Sequence, residues 1–293
     1  MKKKTTLRQK TRLIIQCAFA ALSNGYLAGF TNGKLYQGEL KKLCVPGMNC
    51  YSCPGAVGAC PIGSLQNAVG NGTLRGLLYV CGFLVLFGTL LGRGVCGFLC
   101  PFGLIQRALH KIPFPKKLRR LPGEKFLRMI RYAMLLLFVL ILPMFVSDAF
   151  GIGDPWFCKY VCPVGTLEAG IPLVLLNEGI RSLVGFLYAW KTAILIIIAL
   201  LSVVIWRPFC RYLCPLGALY GFFNRFAIYR YTFDKDKCIS CGACREACKM
   251  DIEVMKSPNS VDCVRCGKCI DACPTGALGT VIPIRKKERE KDN

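Results

Sequence analysis

The sequence predicts an all-α membrane domain of four transmembrane helices with re-entrant half-helices at C-x3-C-P motifs, followed by a small C-terminal α+β domain. Three observations favour this fold class. First, 54% of the 293 residues are hydrophobic and the mean hydropathy is +0.43, which are high values for a soluble domain. Second, 39 Lys and Arg stand against 16 Asp and Glu, a formal net charge of +23. Third, the chain has 20 Cys in recurring motifs but one His.

Four segments are apolar enough to span a membrane, near the short end of the roughly 17–25 residues that a bilayer core requires. We predict spans at 13–30, 76–92, 132–146 and 192–206. A fifth apolar stretch, 170–188, contains Glu178 and Arg181. Charges are costly at the bilayer centre, so we interpret this stretch as a half-helix and interfacial segment.

The positive charge predicts the orientation of these spans. Lys and Arg are concentrated in the N-terminal tail, in the loop 93–128 and after the fourth span, whereas 31–73 and 147–190 contain few. Cytoplasmic loops carry such an excess. We therefore expect a multi-pass protein of the cell membrane with both termini cytoplasmic. The charge reflects topology and contact with membrane lipid, and we expect no nucleic-acid partner.

The predicted domains follow from these patterns. They are a basic cytoplasmic tail (1–12), a membrane domain (13–229), a small cytoplasmic domain (230–282) and a charged tail (283–293).

The small domain contains the spacing C-x2-C-x2-C-x3-C twice, at 238–248 and 263–273. In bacterial dicluster ferredoxins three Cys at this spacing bind one [4Fe–4S] cluster, and the fourth reaches across to the other. Lys249 replaces the Pro that usually follows the fourth Cys, which removes no ligand. A zinc site is the disfavoured alternative. The predicted ligands are Cys238, Cys241, Cys244 and Cys273 for cluster 1, and Cys263, Cys266, Cys269 and Cys248 for cluster 2.

Four segments of the membrane part share the core Cys-Pro-φ-Gly, where φ is an apolar residue. Pro after Cys suits the first position of a helix, and Gly lets the backbone approach a bulky ligand. The free N–H groups of the new helix would face the thiolates. The alternatives are redox-active thiols or small packing residues. The motifs begin at Cys60, Cys100, Cys162 and Cys214, and three have a second Cys four residues earlier, at Cys96, Cys158 and Cys210.

The predicted topology pairs these motifs into two further clusters. One, on the inner side, would be bound by Cys96, Cys100, Cys210 and Cys214. Six thiols compete on the outer side, and we predict an outer cluster at Cys53, Cys60, Cys158 and Cys162, with Cys50 or Cys44 as substitutes. A Cys44–Cys50 disulfide is another alternative. Cys17 and Cys81 have no partner motif, and we interpret them as packing residues.

Three titratable residues are candidates for a proton or quinone site: His110, Glu168 and Glu178. His110 titrates near neutral pH and is a candidate proton acceptor. The alternative is that His110 is a solvated interfacial side chain.

The segments 92–103 and 207–218, followed by the dicluster segment, resemble the NapH-type membrane polyferredoxins, and the NosR and CcoG groups share the same elements. The resemblance covers about residues 74–280. It implies a four-span protein that passes electrons between the quinol pool or cytoplasmic donors and exported redox enzymes. The chain departs from the pattern by its outer motif at Cys158 and its Cys-rich loop from Cys44 to Cys60, which favour a continuous transmembrane path.

The predicted function is transmembrane electron transfer through about four [4Fe–4S] clusters. The chain would be an electron-transfer component rather than a stand-alone catalyst. Its expected partners are a cytoplasmic electron donor or acceptor and an exported redox protein or quinone. One alternative is a quinol dehydrogenase subunit that serves an exported reductase. The other is a maturation or metal-reducing factor of the CcoG type.

Overall fold

The computed structural model describes residues 7–147 and 151–281. The first half of the predicted basic tail (1–6) and the predicted charged tail (283–293) lie outside the described residues.

Three helices of the described chain are long and apolar enough to cross a membrane. They are Leu74–Leu91, Glu124–Phe145 and Phe186–Val204, with mean hydropathies of 2.0 to 2.2. They match the second, third and fourth predicted spans. Their apolar side chains face outward, as Leu78 (64% exposed) and Leu200 (65% exposed) illustrate. The middle of the second helix is π-helical over Met134–Ile141.

The first predicted span, 13–30, differs in the structure. The chain forms a helix over Leu7–Ser23, here called the N-terminal helix, and then a short helix over Ala28–Asn32. The N-terminal helix buries Gln9, Arg12 and Gln16, while Ile14 and Leu22 are 66% and 75% exposed. Its polar stripe therefore faces the protein and its apolar stripe faces outward. The average hydropathy used to predict the span does not show this division into two faces.

That polar stripe attaches the N-terminal helix to two parts of the chain, the C-terminal part and the second Cys-Pro motif. The Gln9 amide donates to the Cys266 carbonyl (2.8 Å). The Arg12 guanidinium donates to the Gly97 carbonyl (3.3 Å), and the Gln16 amide donates to the Cys100 carbonyl (2.7 Å).

Each Cys-Pro pair begins a helix, as the motif predicts. In all four cases Pro occupies the first turn, and the Cys before it is the N-cap with an extended backbone. The four Cys-Pro helices are Pro61–Gly70, Pro101–Leu109, Pro163–Leu176 and Pro215–Phe223. Short helical turns precede three of them, at Gly94–Phe98, Phe157–Val161 and Phe209–Leu213. The stretch 170–188 is divided, with a short helix at Glu178–Ser182 between two longer ones.

The C-terminal part has α+β structure. Strands Tyr231–Phe233 and Leu278–Thr280 pair antiparallel, with Tyr231 opposite Thr280. Two short helices, Ala243–Ala247 and Lys268–Ala272, lie within the Cys-rich segments 238–248 and 263–273. The loop between the N-terminal helix and the first Cys-Pro helix contains a 3-10 turn at Glu39–Lys42. Met250, Ile252 and Val264 of the C-terminal part join the same apolar core as the Cys-Pro motifs.

Candidate metal centres

Two cavities in the C-terminal part are lined by the predicted sets of ligands. One is lined by Cys238, Cys241, Cys244 and Cys273, and the other by Cys248, Cys263, Cys266 and Cys269. The fourth Cys of each repeat thus lines the cavity of the other repeat. This exchange is the arrangement that a dicluster ferredoxin requires.

The two Cys-x-x-Cys-Gly segments share an unusual backbone. Ser240 and Arg265 have positive φ angles of 52° and 49°, and the Gly residues after the second Cys, Gly242 and Gly267, have 72° and 76°. Positive φ is uncommon outside glycine and costs on the order of 1–3 kcal/mol. Its recurrence at equivalent positions indicates a loop shaped for a ligand rather than for stability.

Four thiols come together between the second and fourth Cys-Pro motifs. This inner group comprises Cys96, Cys100, Cys210 and Cys214, each at most 4% exposed. Burial raises the pKa of the Cys214 thiol, and the Cys210, Cys96 and Cys100 thiolates raise it further. The four sulfur atoms therefore lie within electrostatic range of one another.

A second set of thiols comes together between the first and third motifs. This outer group comprises Cys50, Cys60, Cys158 and Cys162. Burial raises the pKa of Cys158 to about 12, and the Cys60 and Cys50 thiolates contribute. A Cβ added at Gly165 would lie 3.6 Å from the Cys50 sulfur, and one at Gly63 would lie 3.8 Å from the Cys158 sulfur. Each motif glycine thus lies beside a sulfur atom that a different segment contributes to the outer group.

The structure places the remaining membrane cysteines elsewhere. Cys53, predicted as the fourth outer ligand, directs its sulfur to the Asn24 side chain (3.7 Å). The Cys44 backbone N–H donates to the Tyr79 hydroxyl (3.0 Å). Cys44 and Cys50 are both free thiols rather than a disulfide. Cys17 and Cys81 are exposed on their helices, so the interpretation of them as packing residues was wrong.

The Cys-Pro helices direct backbone N–H groups toward their own cysteines. The Gly217 N–H donates to the Cys214 sulfur (3.3 Å). The same contact joins Gly63 to Cys60, Gly103 to Cys100 and Gly165 to Cys162. These contacts stabilise a thiolate and oppose the effect of burial, and the positive end of the helix dipole acts in the same direction.

The spacing of the thiols argues against a single metal ion. Among residues 7–147 and 151–281, no three His, Cys, Asp or Glu side chains are close enough to bind one ion. Zn–S bonds of about 2.3 Å would bring tetrahedral thiolates to roughly 3.8 Å from one another. A cubane cluster binds each Cys through a different iron, so its ligands lie farther apart. Sets of four thiols without His fit such clusters.

The buried arginine side chains indicate where the protein interior requires negative charge. Six Arg side chains are fully buried: Arg12, Arg93, Arg131, Arg207, Arg211 and Arg265. Within the described ranges, the ion pairs of this set involve Arg93, Arg131 and Arg211 only. An unpaired buried cation costs several kcal/mol. The three others therefore need negative charge from another source.

Cysteines of the predicted clusters lie beside these three arginines. Arg207 donates to the Cys96 carbonyl (2.6 Å) and acts electrostatically on the Cys96 thiol. Arg12 is similarly close to Cys266, and Arg265 to Cys263. A cubane with four thiolates carries a net charge of about −2 when oxidised. The buried guanidinium groups thus fit the predicted clusters.

The backbone of the inner group contacts the backbone of the segment that carries Cys263 and Cys266. Gly97 lies between Cys96 and Cys100 in the sequence, and a Cβ added there would overlap the Val264 carbonyl. Val264 in turn lies between Cys263 and Cys266. The segments that carry the inner group and the predicted ligands of cluster 2 therefore meet at this contact without an intervening side chain.

Met48 occupies the corresponding place between the inner and outer groups. Its backbone N–H contacts the Cys100 thiol, and its Sδ atom lies 4.0 Å from the Cys60 Sγ atom. The Tyr220 hydroxyl donates to the Pro46 carbonyl (3.1 Å) and fixes this loop. Neither Met48 nor the buried arginines follow from the cysteine motifs, although Arg93 and Arg207 each lie three residues before the first Cys of a motif, a recurrence that could have indicated them.

The three candidate proton carriers differ in environment. His110 is 6% exposed and packs edge-to-face on Trp206, so it is not a solvated side chain. Burial, Lys117 and Lys249 lower the pKa of His110 to about 4. Glu178 is exposed.

Glu168 is the third candidate, and its carboxylate accepts the Cys50 N–H (2.8 Å). Burial raises the pKa of Glu168 to about 7. Glu168 lines an open, largely apolar pocket of about 250 Å3 together with Ala20, Asn24, Phe30, Cys53, Pro101, Leu104, Ile105, Leu167 and Pro172.

Comparison with known proteins agrees with this geometry. A family model described as a 4Fe-4S binding domain matches residues 73–122, 130–171 and 188–230, each of which contains one C-x3-C-P motif. A second 4Fe-4S binding domain model matches residues 231–252 and 258–279. The chain is thus a ferredoxin-type electron-transfer protein with 4Fe-4S domains.

Three relatives illustrate the similarity. An uncharacterized protein of Methanocaldococcus jannaschii is 26% identical over 209 residues, which cover 70% of this chain and 71% of that protein. The methylamine utilization ferredoxin-type protein MauN of Paracoccus denitrificans is 30% identical over 60% of this chain and 53% of its own length. The ferredoxin-type protein NapH of Haemophilus influenzae is 28% identical over 60% and 54%. No solved structure matches the chain.

The chain belongs to the NapH-type family of membrane polyferredoxins. Its three apolar helices agree with a membrane protein.

Proposed function

We propose that this protein is a transmembrane electron relay with four [4Fe–4S] clusters. Electrons pass between the two clusters of the ferredoxin domain (230–282), a cluster at the inner group and a cluster at the outer group. The observation that carries the proposal is the unbroken series of contacts between the thiol groups. The clusters supply the redox chemistry, and the residues of the chain set their spacing and their surroundings.

Two contacts define the route through the membrane domain (13–229). Gly97 packs on Val264, which brings the inner group against cluster 2. Met48 then joins Cys100 of the inner group to Cys60 of the outer group. Because Gly47 also packs on the Cys100 backbone, with its ideal Cβ 3.0 Å from the Cys100 Cα, the loop 44–60 has little freedom to move.

We infer the ligands from the same geometry. Cluster 1 is bound by Cys238, Cys241, Cys244 and Cys273, and cluster 2 by Cys248, Cys263, Cys266 and Cys269. The inner cluster takes Cys96, Cys100, Cys210 and Cys214. The outer cluster takes Cys50, Cys60, Cys158 and Cys162, with Cys50 in the place first given to Cys53, because Cys50 lies with the other three thiols.

The proposed topology follows the charges and the helices. Both termini and the ferredoxin domain are cytoplasmic, and the N-terminal helix is the fourth membrane helix. The Cys-Pro helices are re-entrant half-helices whose first residues meet in the middle of the membrane domain, where Met48 lies. A cytoplasmic redox protein exchanges electrons with cluster 1, and an exported redox protein or a quinone exchanges them with the outer cluster.

Iron content tests the number of clusters. After anaerobic reconstitution of the full chain, we expect about sixteen irons per protein, from four cubanes. A double variant, Cys100→Ser with Cys214→Ser, should lose about four. The matched control, Cys17→Ser with Cys81→Ser, should lose no iron, because both thiols are exposed and neither belongs to a Cys-Pro motif. About eight irons in the unaltered chain would overturn the proposal.

Vesicles test the relay itself. With dithionite outside and ferricyanide enclosed, ferricyanide reduction should require the protein in the vesicle membrane. The double variant Cys100→Ser with Cys214→Ser should lose this activity while the ferredoxin clusters are still reduced. Equal rates with and without the inner group would contradict a relay.

A quinol dehydrogenase is a second candidate, favoured by the pocket beside Glu168. The pocket contains Pro101 of the inner motif and Glu168 of the outer motif, so a ligand there would lie against both groups. A quinol would give one electron at a time to the adjacent clusters and its protons to acceptors such as Glu168.

Quinol-driven cluster reduction in liposomes tests this second candidate. Leu104→Trp should fill the pocket and abolish the reaction, whereas Glu178→Gln, on the exposed surface, should leave it unchanged. Normal quinol oxidation by the Leu104→Trp variant would exclude the pocket.

A further inference from the structure

A glutamine follows the motif Cys by six residues in two of the four Cys-Pro helices. Gln66 follows Cys60, and Gln106 follows Cys100. Both side chains are buried, at 0% and 1% exposure. A buried amide needs partners for two N–H donors and an oxygen acceptor. Both glutamines find them at the other motif of the same thiol group.

Gln66 contacts the third motif at two points. Its Nε2 donates to the Cys158 sulfur (3.2 Å), and its Oε1 accepts the backbone N–H of Phe157 (2.9 Å). Nε2 also donates to the Ile62 carbonyl within its own helix (3.2 Å). Because the Phe157 N–H requires an acceptor, the amide orientation is fixed and the NH2 group faces the sulfur.

Gln106 makes the same contacts with the fourth motif. Its Nε2 donates to the Cys210 sulfur (3.2 Å), and its Oε1 accepts the Phe209 N–H (3.2 Å). Nε2 also approaches the Phe102 carbonyl of its own helix (3.5 Å). The arrangement thus occurs twice, once in the outer and once in the inner group, although the two glutamines lie in different motifs.

The same position in the other two Cys-Pro helices is used differently. Glu168, six residues after Cys162, accepts the Cys50 backbone N–H (2.8 Å). Tyr220, six residues after Cys214, donates to the Pro46 carbonyl (3.1 Å). All four side chains bind a segment other than their own helix. In the described part of the chain, only the two glutamines at this position donate to a cysteine sulfur.

We propose that Gln66 and Gln106 tune the reduction potentials of the outer and inner clusters, one glutamine for each cluster. This inference rests on the proposed function. A hydrogen bond to a ligand sulfur withdraws negative charge from the cluster and stabilises the reduced, more negative state. Each glutamine also orients the first Cys of the opposite motif through the preceding backbone N–H. They are positioning and tuning residues and take no electron themselves.

The test compares two matched variants, Gln66→Met and Gln106→Met. Met has a similar volume but lacks the N–H donor. Redox titration of the reconstituted full chain, followed by low-temperature EPR, measures each potential, with signals assigned from Cys158→Ser and Cys210→Ser. We expect Gln66→Met to shift the outer cluster alone to a more negative potential, and Gln106→Met to shift the inner cluster alone. Each variant is the control for the other.

The outcomes separate this inference from the relay. Sixteen irons with unshifted potentials, or with the same shift at all clusters, would overturn the role of the glutamines and leave the relay intact. About eight irons in the unaltered chain would overturn the relay. If Gln66→Met loses its cluster, Gln66→Asn keeps an amide one methylene short of Cys158. An unshifted outer potential in that variant would also contradict the inference.

Discussion

The Asp262 carboxylate forms an ion pair with Arg131 at 2.6 Å. Asp262 directly precedes Cys263, a proposed ligand of cluster 2, whereas Arg131 belongs to the apolar helix Glu124–Phe145. Arg93 and Arg128 share the same carboxylate, at 3.5 and 2.6 Å. One buried acidic side chain thus links the ferredoxin part to two separate segments of the membrane part.

Asp262→Asn should destabilise this attachment strongly. It leaves Arg93 and Arg131 buried without their carboxylate, and breaking a buried pair costs about 3–5 kcal/mol. Chemical unfolding of the detergent-solubilised protein measures the loss, with iron content recorded for each sample. Asp251→Asn is the control, because Arg120 of that pair is 58% exposed and such a pair contributes at most about 1 kcal/mol. Equal effects of the two substitutions would contradict the structure.

Cys50→Ser and Cys53→Ser should differ in iron content. Cys50 lies with Cys60, Cys158 and Cys162, so its loss should remove the outer cluster, about four irons. Cys53 faces Asn24 and its loss should remove none. Iron and acid-labile sulfide analysis of the two variants decides between them. The reverse result would restore the assignment based on motif spacing.

Gly97→Ala should slow electron transfer between cluster 2 and the inner cluster. The added methyl group overlaps the Val264 carbonyl and forces the two segments apart. Freeze-quench EPR after rapid reduction of the ferredoxin clusters measures the rate, and iron content should be unchanged. Gly82→Ala is the control, since a Cβ there meets no atom within 4 Å. An unchanged rate in Gly97→Ala would show that electrons do not cross at this contact.

His110 should make stability depend on pH. Burial and nearby lysines lower its folded pKa to about 4, whereas an unfolded His titrates near about 6.5. Between these values the unfolded state binds a proton that the folded state does not, so stability falls as the pH falls from about 6.5 to about 4. His110→Phe should weaken this dependence. The measurement is the difference in unfolding midpoint between the two proteins at about pH 7.5 and about pH 5. A constant difference would count against a buried neutral His110.

Local motifs predicted much of this molecule. The helix starts at Cys60, Cys100, Cys162 and Cys214 follow from Pro at the first helical position. The exchange of Cys248 and Cys273 between cavities follows from spacing alone. Both features depend on a few adjacent residues, so no knowledge of the tertiary structure is needed.

The position of Cys50 beside Cys60, Cys158 and Cys162 was not predictable in this way. In the other three motifs a Cys lies four residues before the Cys-Pro pair, but in the first motif that position is Ala56. No helical turn precedes Cys60 either. The loop is shaped instead by distant contacts, such as the Lys41 ammonium on the Ala56 carbonyl (2.7 Å). These contacts bring Cys50 to the group and turn Cys53 toward Asn24. The alternative of a solvated His110 was wrong for a similar reason, because Trp206, which packs on His110, lies almost a hundred residues away in the sequence.

The N-terminal helix has a consequence for the order of assembly. Its outward-facing side is apolar, but Gln9, Arg12 and Gln16 require the carbonyls of Cys266, Gly97 and Cys100. These acceptors exist in position only after the ferredoxin loops and the second Cys-Pro motif have formed. The N-terminal helix therefore docks after segments that follow it in the sequence, and its docking reports that these Cys-rich loops have formed.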